Sequence, residues 1–578
     1  MRFLALATDY DGTLAHDGKV DEPTISAIER LRDSGRKLIL VTGRELDELI
    51  AVFPRIDLFD RVVAENGALL YRPEDRSEGI LGERPPESFL DSLRGRGVER
   101  ISVGRVIVAT WEPYQSAVLE AIREAGLELQ VIFNKGAVMI LPSGVNKATG
   151  LNAALQELGL SPHNVVSVGD AENDHAFLAI SECSVAVSNA LDALKERADH
   201  LTLADHGAGV AELIDGLVAD DLCSVMSGVD RHDILLGRRA DLSEARLTPY
   251  GSNVLVTGTS GSGKSTLTTG LLERLAESGY QYAIIDPEGD YESLEGAVVI
   301  GTPRRVPTVK EVLDLLQNPT QNVVVNLLGI ALGHRPAFFE EFLPQIQELR
   351  SRTGRPHWIV VDETHHLLPI TWDPAALTLP LKLRNMIYIT VHPDSVAREI
   401  ADSVDLVFAV GDAPEKTIMN FCEAVGEESP SIAPTTLASG EALIWNRRDG
   451  SSPERVRSEP PKSEHSRHSR KYAEGNLGPD RSFRFRGPEG KLNLRAQNLV
   501  VFLQIAEGVD DATWLFHLGQ ADYSRWFREG IKDESLGAEA EKIESQPNLS
   551  PEESRVAIRE AIESRYTLPS EAASGHAE

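Results

Sequence analysis

The sequence predicts a multidomain α/β protein in which two parallel sheets precede a small α-helical region. Short apolar runs alternate with amphipathic stretches over the first 220 residues, which is typical of a doubly wound parallel sheet. A second alternation covers 231–449 and contains a glycine-rich loop, and helical periodicity follows over 481–545. The length of 578 residues gives room for three or four domains of roughly 100–200 residues each.

Each region can be bounded from its pattern. The apolar runs "FLALA", "KLILVTG", "RVVAENG", "NVVSVGD" and "CSVAVSN" predict strands of a core that spans 1–82 and 146–220. Residues 83–145 predict a small α/β insertion into that core. Residues 450–480 are rich in Ser, Arg, Pro and Glu without apolar periodicity, which predicts a disordered linker.

The carboxy-terminal part predicts a helical module over 481–545 and a further acidic helix with a frayed tail over 546–578. Aromatic residues such as Trp514, Tyr523 and Trp526 recur there at helical spacing. This spacing favours a packed core, with a docking surface as the alternative.

The composition limits the classes of molecule that this protein is expected to bind. A net charge of −31 argues against a non-specific nucleic-acid coat and against anionic membranes, although basic residues gathered inside a pore would permit nucleic acid. The three cysteines form no CxxC pair, no signal peptide is recognisable, and no apolar run approaches ~18 residues. We therefore expect a cytoplasmic protein without a membrane segment.

The stretch "DYDGT" places Asp9 and Asp11 two residues apart after an apolar strand. Side chains at this spacing in extended backbone point the same way, so both carboxylates can face one pocket. Ligand sites of open parallel sheets form at such strand ends. An acidic strand-ending turn is the alternative for this motif alone.

Three later segments extend the pattern. "LVTGR" supplies Thr42, "GVNKATG" supplies Lys147, and "VGDAENDHAFL" supplies three more polar residues, Asp170, Asn173 and Asp174. In this order they resemble the four motifs of the haloacid dehalogenase (HAD) superfamily of phosphatases. The "AENGA" segment and the place of the insertion resemble its cap-bearing type IIB sugar-phosphatase branch. The resemblance implies a Rossmann-like core over the first 220 residues, with the insertion as an α/β cap.

The resemblance also implies a role for each residue. Asp9 would attack phosphorus and Asp11 would act as general acid and base. Thr42 and Lys147 would neutralise phosphoryl oxygens. Mg²⁺ would be held by carboxylates and one carbonyl, from Asp9, Asp170, Asp174 and Asp11, with Asn173 as a ligand or positioning residue.

The second region contains a nucleotide loop. "GTSGSGKS" is a complete Walker A motif between an apolar strand and a helix, the context in which backbone amides cradle phosphates. Lys264 would reach the phosphates and Ser265 would bind Mg²⁺. The other expected ATP contacts of this loop are Gly258, Gly261, Ser262, Gly263 and Thr266.

The strand "HWIVVDE" decides between kinase and ATPase. Asp362 suits the Mg²⁺ shell, and the adjacent Glu363 suits polarising a water for attack on the γ-phosphate. A small-molecule kinase has no use for that second carboxylate and normally carries a substrate lid. No arginine-rich lid is present in the sequence, so hydrolysis is favoured.

The segments "DPEGDY" and "MIYITVHPD" resemble two motifs of the HerA/FtsK-type branch of P-loop ATPases, which have a RecA/ASCE-like sheet. That resemblance implies a homo-oligomer, often a hexameric ring that pumps DNA or peptides. His392 stands where the branch has a glutamine sensor, so we expect it at the ATP site or as a plain strand-end residue. Arg384 is expected as an arginine finger or a surface residue. The adjacent His365 and His366 are expected to diverge and not to bind a metal together.

The leading interpretation is a Mg²⁺-dependent HAD phosphatase for a small phosphorylated metabolite, such as a sugar phosphate or phosphoglycolate. It is joined to an ATP-hydrolysing HerA-like domain that forms an oligomer and regulates it. One alternative is a DNA-translocating ATPase with an accessory HAD nuclease or phosphatase domain; the HAD domain in place of the branch's usual amino-terminal β-barrel weakens it. The other alternative is a bifunctional small-molecule kinase–phosphatase.

Overall fold

The computed structural model describes residues 1–134, 136–226, 228–259, 261–372, 383–462, 477, 481–488, 490, 492–531, 533–546 and 549–563. No helix within these ranges is long and apolar enough to cross a membrane. Short 3₁₀ segments lie at Ile56–Leu58, Glu65–Gly67, Pro162–Asn164, Glu172–Asp174, Leu332–His334 and Pro393–Ser395.

The first domain has a core that a cap interrupts. Its first half contains strands β1 Ala5–Thr8, β2 Lys37–Val41, β3 Arg61–Ala64, β4 Leu69–Arg72 and β5 Ser77–Ile80, with helices α1 Glu22–Asp33 and α2 Leu46–Val52. The cap contains α3 Glu87–Gly95, β6 Ser102–Val103, β7 Val108–Trp111, α4 Gln115–Ala125, β8 Leu129–Asn134 and β9 Ala137–Pro142. The cap strands form an antiparallel sheet in the order β6-β7-β9-β8.

The second half of the core completes one sheet. It contains α5 Lys147–Leu158, β10 Val165–Gly169, α6 His175–Ile180, β11 Cys183–Ala186, α7 Asp192–Lys195, β12 His200–Leu201, α8 His206–Asp220 and α9 Cys223–Met226. The sheet order is β12-β11-β10-β1-β2-β3-β4-β5, parallel up to β3. The five apolar runs form β1, β2, β3, β10 and β11, as the sequence predicts, and their side chains are buried.

The second domain contains a larger mixed sheet. Its strands are β13 Ile234–Arg239, β14 Glu244–Leu247, β15 Val254–Gly258, β16 Tyr282–Asp286, β17 Ala297–Ile300, β18 Asn322–Asn326, β19 Trp358–Val361, β20 Met386–Thr390, β21 Leu406–Val410, β22 Glu441–Asn446 and β23 Glu454–Ser458. Its helices are α10 Lys264–Glu277, α11 Val309–Leu316, α12 Arg335–Thr353, α13 Thr364–Leu367, α14 Arg398–Asp402 and α15 Pro414–Val425. The order β21-β15-β20-β19-β16-β18-β17 is parallel, and β20 lies between the strands that end at the Walker A loop and at Asp362.

The structure corrects the prediction of a linker over 450–480, because part of this segment forms strand β23. It pairs with β22 and β13, so this part of the segment belongs to the second sheet. Its one buried apolar side chain is Val456, whereas Arg455 forms an ion pair with Glu441 and Glu454 with Arg239. This strand therefore has ion pairs to its neighbouring strands but little of the apolar periodicity by which a strand is recognised in a sequence. Residues 463–476 and 478–480 of the predicted linker lie outside the described residues.

The carboxy-terminal region is not wholly helical. It contains the hairpin β24 Phe483–Phe485 and β25 Leu494–Ala496, followed by α16 Leu499–Gly508, α17 Asp511–Gly519, α18 Asp522–Glu529, α19 Glu534–Glu544 and α20 Pro551–Glu563. Trp514, Tyr523 and Phe527 are fully buried and form one aromatic core with the hairpin. Helix α20 packs into the same core, so it belongs with the helices before it.

A buried polar contact joins the first two domains. The ring of His163 lies between them, with Nδ1 2.6 Å from Glu182 Oε2 and Nε2 2.6 Å from the Ser278 carbonyl oxygen. Tyr280 donates to the same Glu182 oxygen at 3.0 Å and stacks on His163 at a ring distance of 3.8 Å. Ser278 caps the carboxyl end of α10, so this contact ties the Walker A helix to the first domain.

Candidate functional sites

The first candidate site lies at the carboxyl ends of three neighbouring strands. Thr8 of β1 pairs with Leu40 of β2 and Val168 of β10. Asp9, Thr42 and Asp170 follow these strands at the same edge of the sheet, because parallel strands end together. The residues that the sequence predicts from separate motifs therefore lie in one place.

Lys147 is the centre of this site. Its Nζ donates to Asp9 Oδ1 and to Asp174 Oδ1, both at 2.6 Å, and its side chain is 1% exposed. Burial alone would lower the pKa of Lys147, but the carboxylates of Asp174 and Asp9 raise it above its usual value. Lys147 is thus a protonated, buried cation between two acids.

Local sequence fixes the position of that lysine. Asn146 caps α5 by accepting from the backbone N–H groups of Ala148 and Thr149, which makes Lys147 the first helical residue. The preceding turn packs closely, since a side-chain carbon at Gly67 would lie 1.9 Å from the Asn146 carbonyl oxygen. Gly67 also has a φ of +104°, a conformation that favours glycine.

Three buried carboxylates cluster around the lysine. Asp9, Asp170 and Asp174 each offer an oxygen within 4.8 Å of the others. Burial and the neighbouring Asp174 raise the pKa of Asp9 to about 8, despite the opposing effect of Lys147. Three carboxylates for one ammonium group leave negative charge uncompensated, and hard oxygen donors are what a divalent cation such as Mg²⁺ prefers. These residues fit a metal.

The remaining predicted residues surround this cluster. Asp174 Oδ2 accepts from the backbone N–H groups of Asp170 and Ala171, both at 2.9 Å, which fixes its position. Asn173 donates to Asn66 Oδ1 at 3.0 Å. Thr42 is buried, and its hydroxyl accepts from the Arg44 backbone N–H at 3.2 Å.

Another group has the spacing of metal ligands, at the domain interface. His163, Glu182 and His232 are close enough to share an ion. Both ring nitrogens of His163 and the Glu182 oxygens are already engaged in the hydrogen bonds that join the domains. This group therefore fits a structural contact better than a metal site.

The second candidate site lies at the carboxyl edge of the larger sheet. Lys264 Nζ donates to the carbonyl oxygens of Gly258 and Thr259, both at 3.0 Å. Burial lowers its pKa although Glu363 and Asp362 oppose that effect.

The glycines of this loop adopt conformations that other residues avoid. Gly258 has a φ of +151°, and a side-chain carbon there would lie 2.2 Å from the Val410 carbonyl oxygen. Gly261 and Gly263 have φ values of +78° and +98°. Within the described part of the chain the buried Ser262 hydroxyl has no hydrogen-bond partner. Ser265 and Thr266 follow in the first turn of α10, so the loop fits a phosphate chain.

Acidic groups crowd the neighbouring strand ends. Asp362 is buried, and burial together with Asp286 and Glu363 raises its pKa well above the usual value. Asp286 accepts from three backbone N–H groups of the "DPEGDY" turn, at Gly289, Asp290 and Tyr291. Glu363 has a φ of +43°, a strained conformation for a residue with a side chain. Such strain is frequent at functional sites.

The histidines near this site differ from expectation in one respect. The rings of His365 and His366 lie 4.0 Å apart on α13, so they do not diverge. Successive side chains of a helix are separated by about 100°, whereas those of a strand point to opposite faces. His365 Nδ1 lies 3.0 Å from the Thr390 hydroxyl, and burial with His366 lowers its pKa to about 4. Neither histidine belongs to a metal-like cluster among the described residues.

His392 is exposed, and its ring lies 5.3 Å from that of His365, beside the predicted ATP site. Arg384 lies at the opposite, amino-terminal end of β20. It donates to the Gly251 carbonyl oxygen and lies 3.6 Å from Asp405. Within its own chain Arg384 therefore does not face the nucleotide loop.

Comparisons with known proteins match the two domains that contain these sites. Residues 6–85 and 106–214 match the family model of haloacid dehalogenase-like hydrolases. A phosphoglycolate phosphatase of Methanothermobacter thermautotrophicus is 31% identical over 217 residues, which is 36% of this chain and 96% of that protein. The chain belongs to the haloacid dehalogenase-like hydrolases.

Other matches extend this result. A second phosphoglycolate phosphatase, from Saccharolobus solfataricus, is 31% identical and covers 37% of this chain and 93% of its own length. A 5-amino-6-(5-phospho-D-ribitylamino)uracil phosphatase of Bacillus subtilis is 25% identical, over 36% of this chain and 95% of its own. Residues 251–360 match the central domain of the helicase HerA. The hydrolase thus carries a HerA-type domain after its phosphatase-like domain.

Two residues of this hydrolase site were not expected from the sequence. Arg44 holds both oxygens of Asp11, at 2.6 Å and 2.7 Å. Glu65 is fully buried, and its carboxylate accepts from the backbone N–H groups of the cap residues Arg105, Val106 and Ile107. The sequence shows Glu65 only as part of the turn "AENG", and its positive φ becomes visible only in the structure.

Arg335 is the unexpected residue at the nucleotide site. It begins α12, and the charges of Glu288 and Asp286 act on its pKa, which burial lowers. The arginine that the sequence singled out is Arg384, at the other edge. The structure therefore places a different arginine beside the acidic turn.

We predict that Glu65→Ala releases the cap of this hydrolase. Three N–H groups would lose their acceptor, and a buried donor without an acceptor costs about 1–3 kcal/mol. Limited proteolysis should cut the cap faster and KM for a phosphorylated substrate should rise. The control is Glu78→Ala, which removes only an exposed contact with Arg105, worth about 0–1 kcal/mol. Equal behaviour of the two variants would contradict the anchoring role.

Proposed function

We propose that the first domain is a Mg²⁺-dependent phosphomonoester hydrolase whose substrate is a small phosphorylated acid or sugar. The observation that carries this proposal is the buried Lys147, which joins Asp9 and Asp174 at the strand ends. Such a cation can neutralise a phosphoryl group brought beside Asp9. The names of the phosphoglycolate phosphatases among the relatives support a small acid.

Asp9 is proposed as the nucleophile. Its carboxylate would form a bond to phosphorus while the bond to the leaving alkoxide breaks, which divides one difficult displacement into two. Asp11 would give its proton to the leaving oxygen and later take one from the attacking water. The bidentate contact with Arg44 holds the Asp11 carboxylate in one orientation. Arg44 is therefore a positioning residue.

The other residues prepare the site. Thr42 would donate to a phosphoryl oxygen, and Lys147 would neutralise the same group. The proposed metal ligands are Asp9, Asp170 and Asp174 with the Asp11 carbonyl, and Asn173 is held beside them by Asn66. When bound, Mg²⁺ would supply positive charge that stabilises the charge developing on the phosphoryl oxygens.

The cap supports a small substrate. A side-chain carbon at Gly43 would lie only 3.2 Å from Cε of Met139, so the cap meets the core directly at the loop after β2. Asp9 is 4% exposed beneath it. A compact phosphorylated acid fits this closed arrangement better than a polymer end does. The cap would also keep bulk water from the reacting group.

The second domain is proposed to hydrolyse ATP. Lys264 and the loop amides would bind the phosphates, Ser265 and Asp362 would hold Mg²⁺, and Glu363 would polarise the attacking water. The observation that supports this is the pair of acids at the end of β19, two strands from the Walker A strand. We further propose that this domain forms a homo-oligomer and regulates the phosphatase through the His163–Ser278 contact.

Magnesium should stabilise the protein in a manner that depends on Asp170. Adding MgCl₂ to chelator-treated protein should raise Tm, because ligand binding to the folded state stabilises it. The increase should be larger at pH 8.5 than at pH 6.5, since Asp9, with its pKa raised to about 8, keeps a competing proton at the lower pH.

Asp170→Asn should lose most of this increase in Tm. Asp192→Asn, at a side chain that is 96% exposed, is the matched control and should keep it. An equal rise in Tm for both variants would place the cation elsewhere.

The substrate proposal is tested by a screen of phosphorylated metabolites with Mg²⁺, with and without ATP. Wild-type protein should release phosphate from phosphoglycolate or a small sugar phosphate, and Asp9→Asn should abolish this release because an amide is a poor nucleophile. Far-ultraviolet circular dichroism would show that the variant is folded. Phosphatase activity that survives in Asp9→Asn would refute the assignment of the nucleophile.

A further inference from the structure

A cavity of about 920 Å³ lies between the first two domains, on the side opposite both catalytic edges. Arg2, just before β1, lines it from the first domain. Gln347 and Arg350 of α12 and His357, just before β19, line it from the second. Since β1 leads to Asp9 and β19 leads to Asp362, the cavity contacts the amino ends of both catalytic strands.

Three hydrogen-bond donors at this cavity are buried and unused. These are Arg2 Nε, Gln347 Nε2 and His357 Nε2, which have no partner among the described residues. His357 is 2% exposed, and its Nδ1 accepts from the Gln281 backbone N–H at 2.8 Å. In the neutral ring the proton must then lie on Nε2, the nitrogen without a partner. Burial keeps the ring neutral, because it lowers the pKa of His357 well below its usual value.

Arg350 adds an uncompensated positive charge. Its guanidinium donates to the carbonyl oxygens of Pro356, Arg384 and His357, and within the described ranges no carboxylate forms an ion pair with it. Burial lowers its pKa to about 10, which leaves it protonated at neutral pH.

The acids at the cavity have other partners. Asp405 binds Arg448 and lies near Arg384, and Asp221 binds Arg36 and the Arg2 backbone N–H. Asp220 accepts from the Ser224 backbone N–H at 3.3 Å and is exposed. The unused groups are therefore donors and a cation, whereas the acceptors are engaged. A buried donor without an acceptor is unfavourable, so this set suits an anion.

We propose that this cavity binds a small anionic metabolite through a carboxylate or phosphate group. Arg350, Gln347 and His357 are the residues that would contact this group. The volume suits a whole metabolite, since binding pockets commonly measure about 300–1,000 Å³. A ligand there contacts residues of both domains. It would hold the amino ends of β1 and β19 at a fixed separation, remote from either reaction.

The test is isothermal titration calorimetry on the full chain, in a chelator and without nucleotide, with sodium malonate as the carboxylate probe and inorganic phosphate as the second. One malonate site per chain is expected, and phosphate that competes for it would show that the site accepts both groups. Malonate binding supports the site, as does phosphate binding that Gln347→Glu weakens. Phosphate binding that this variant leaves unchanged belongs to the proposed catalytic centres and counts against the site. Binding of neither would overturn the proposal.

Gln347→Glu is the decisive variant. It replaces an unused donor with a carboxylate that repels the anion and lies one helical turn from Arg350. Its probe affinity should fall at least about tenfold, as for juxtaposed like charges, while its Tm without probe stays at or above the wild-type value. Gln347→Leu, which only removes the donor, should weaken binding to a smaller extent.

Glu348→Gln is the matched control, because Glu348 is the next residue of α12 and is exposed. It should bind the probes as the wild type does. Equal affinities in Gln347→Glu, Gln347→Leu and Glu348→Gln would overturn the assignment of the cavity.

Discussion

Each of the two proposed catalytic centres contains one buried lysine that compensates crowded carboxylates. Lys147 lies among Asp9, Asp170 and Asp174, and Lys264 lies near Asp362 and Glu363. Burying like charges is costly, so these acids can stay together only with a cation or with backbone donors. The excess negative charge that remains is the physical reason why both centres suit a divalent cation.

The two parallel sheets place these groups on equivalent edges. The proposed catalytic residues follow the carboxyl ends of β1, β10, β15 and β19, while the domain contact and the interdomain cavity lie toward the other ends. The contact from Glu182 through His163 reaches Ser278, the residue that caps the carboxyl end of the Walker A helix. The proposed regulation therefore requires no residue shared between the two reactions, because a change at the nucleotide loop would be transmitted along α10 to the first domain.

The sequence was sufficient for the features that depend on local pattern. Apolar runs predicted the strands of the first core, and short motifs predicted the group that contains Asp9 and Lys147 and the loop that ends at Lys264. Such motifs predict a site because a few consecutive positions specify both the type of residue and its position after a strand.

Features that depend on distant contacts were missed. In the sequence Glu65 looks like an ordinary turn residue. Its role depends on the backbone N–H groups of the cap, which donate to its carboxylate only in the folded protein. The role of Arg44 likewise becomes visible only through its hydrogen bonds to Asp11. Strand β23 has little apolar pattern, since ion pairs with its neighbours accompany its pairing. A single sequence carries no local signal for such pairings.

We propose that the chain has two separate hydrolytic centres, so that phosphate from ATP does not pass through the first. The most direct test follows ATP labelled in its γ-phosphate together with an unlabelled phosphatase substrate. Release of labelled phosphate should fall at least about 100-fold in Glu363→Gln, as expected for loss of a catalytic base, and stay unchanged in Asp9→Asn. Label found in a small phosphorylated molecule, or labelled phosphate release that depends on Asp9, would contradict the account.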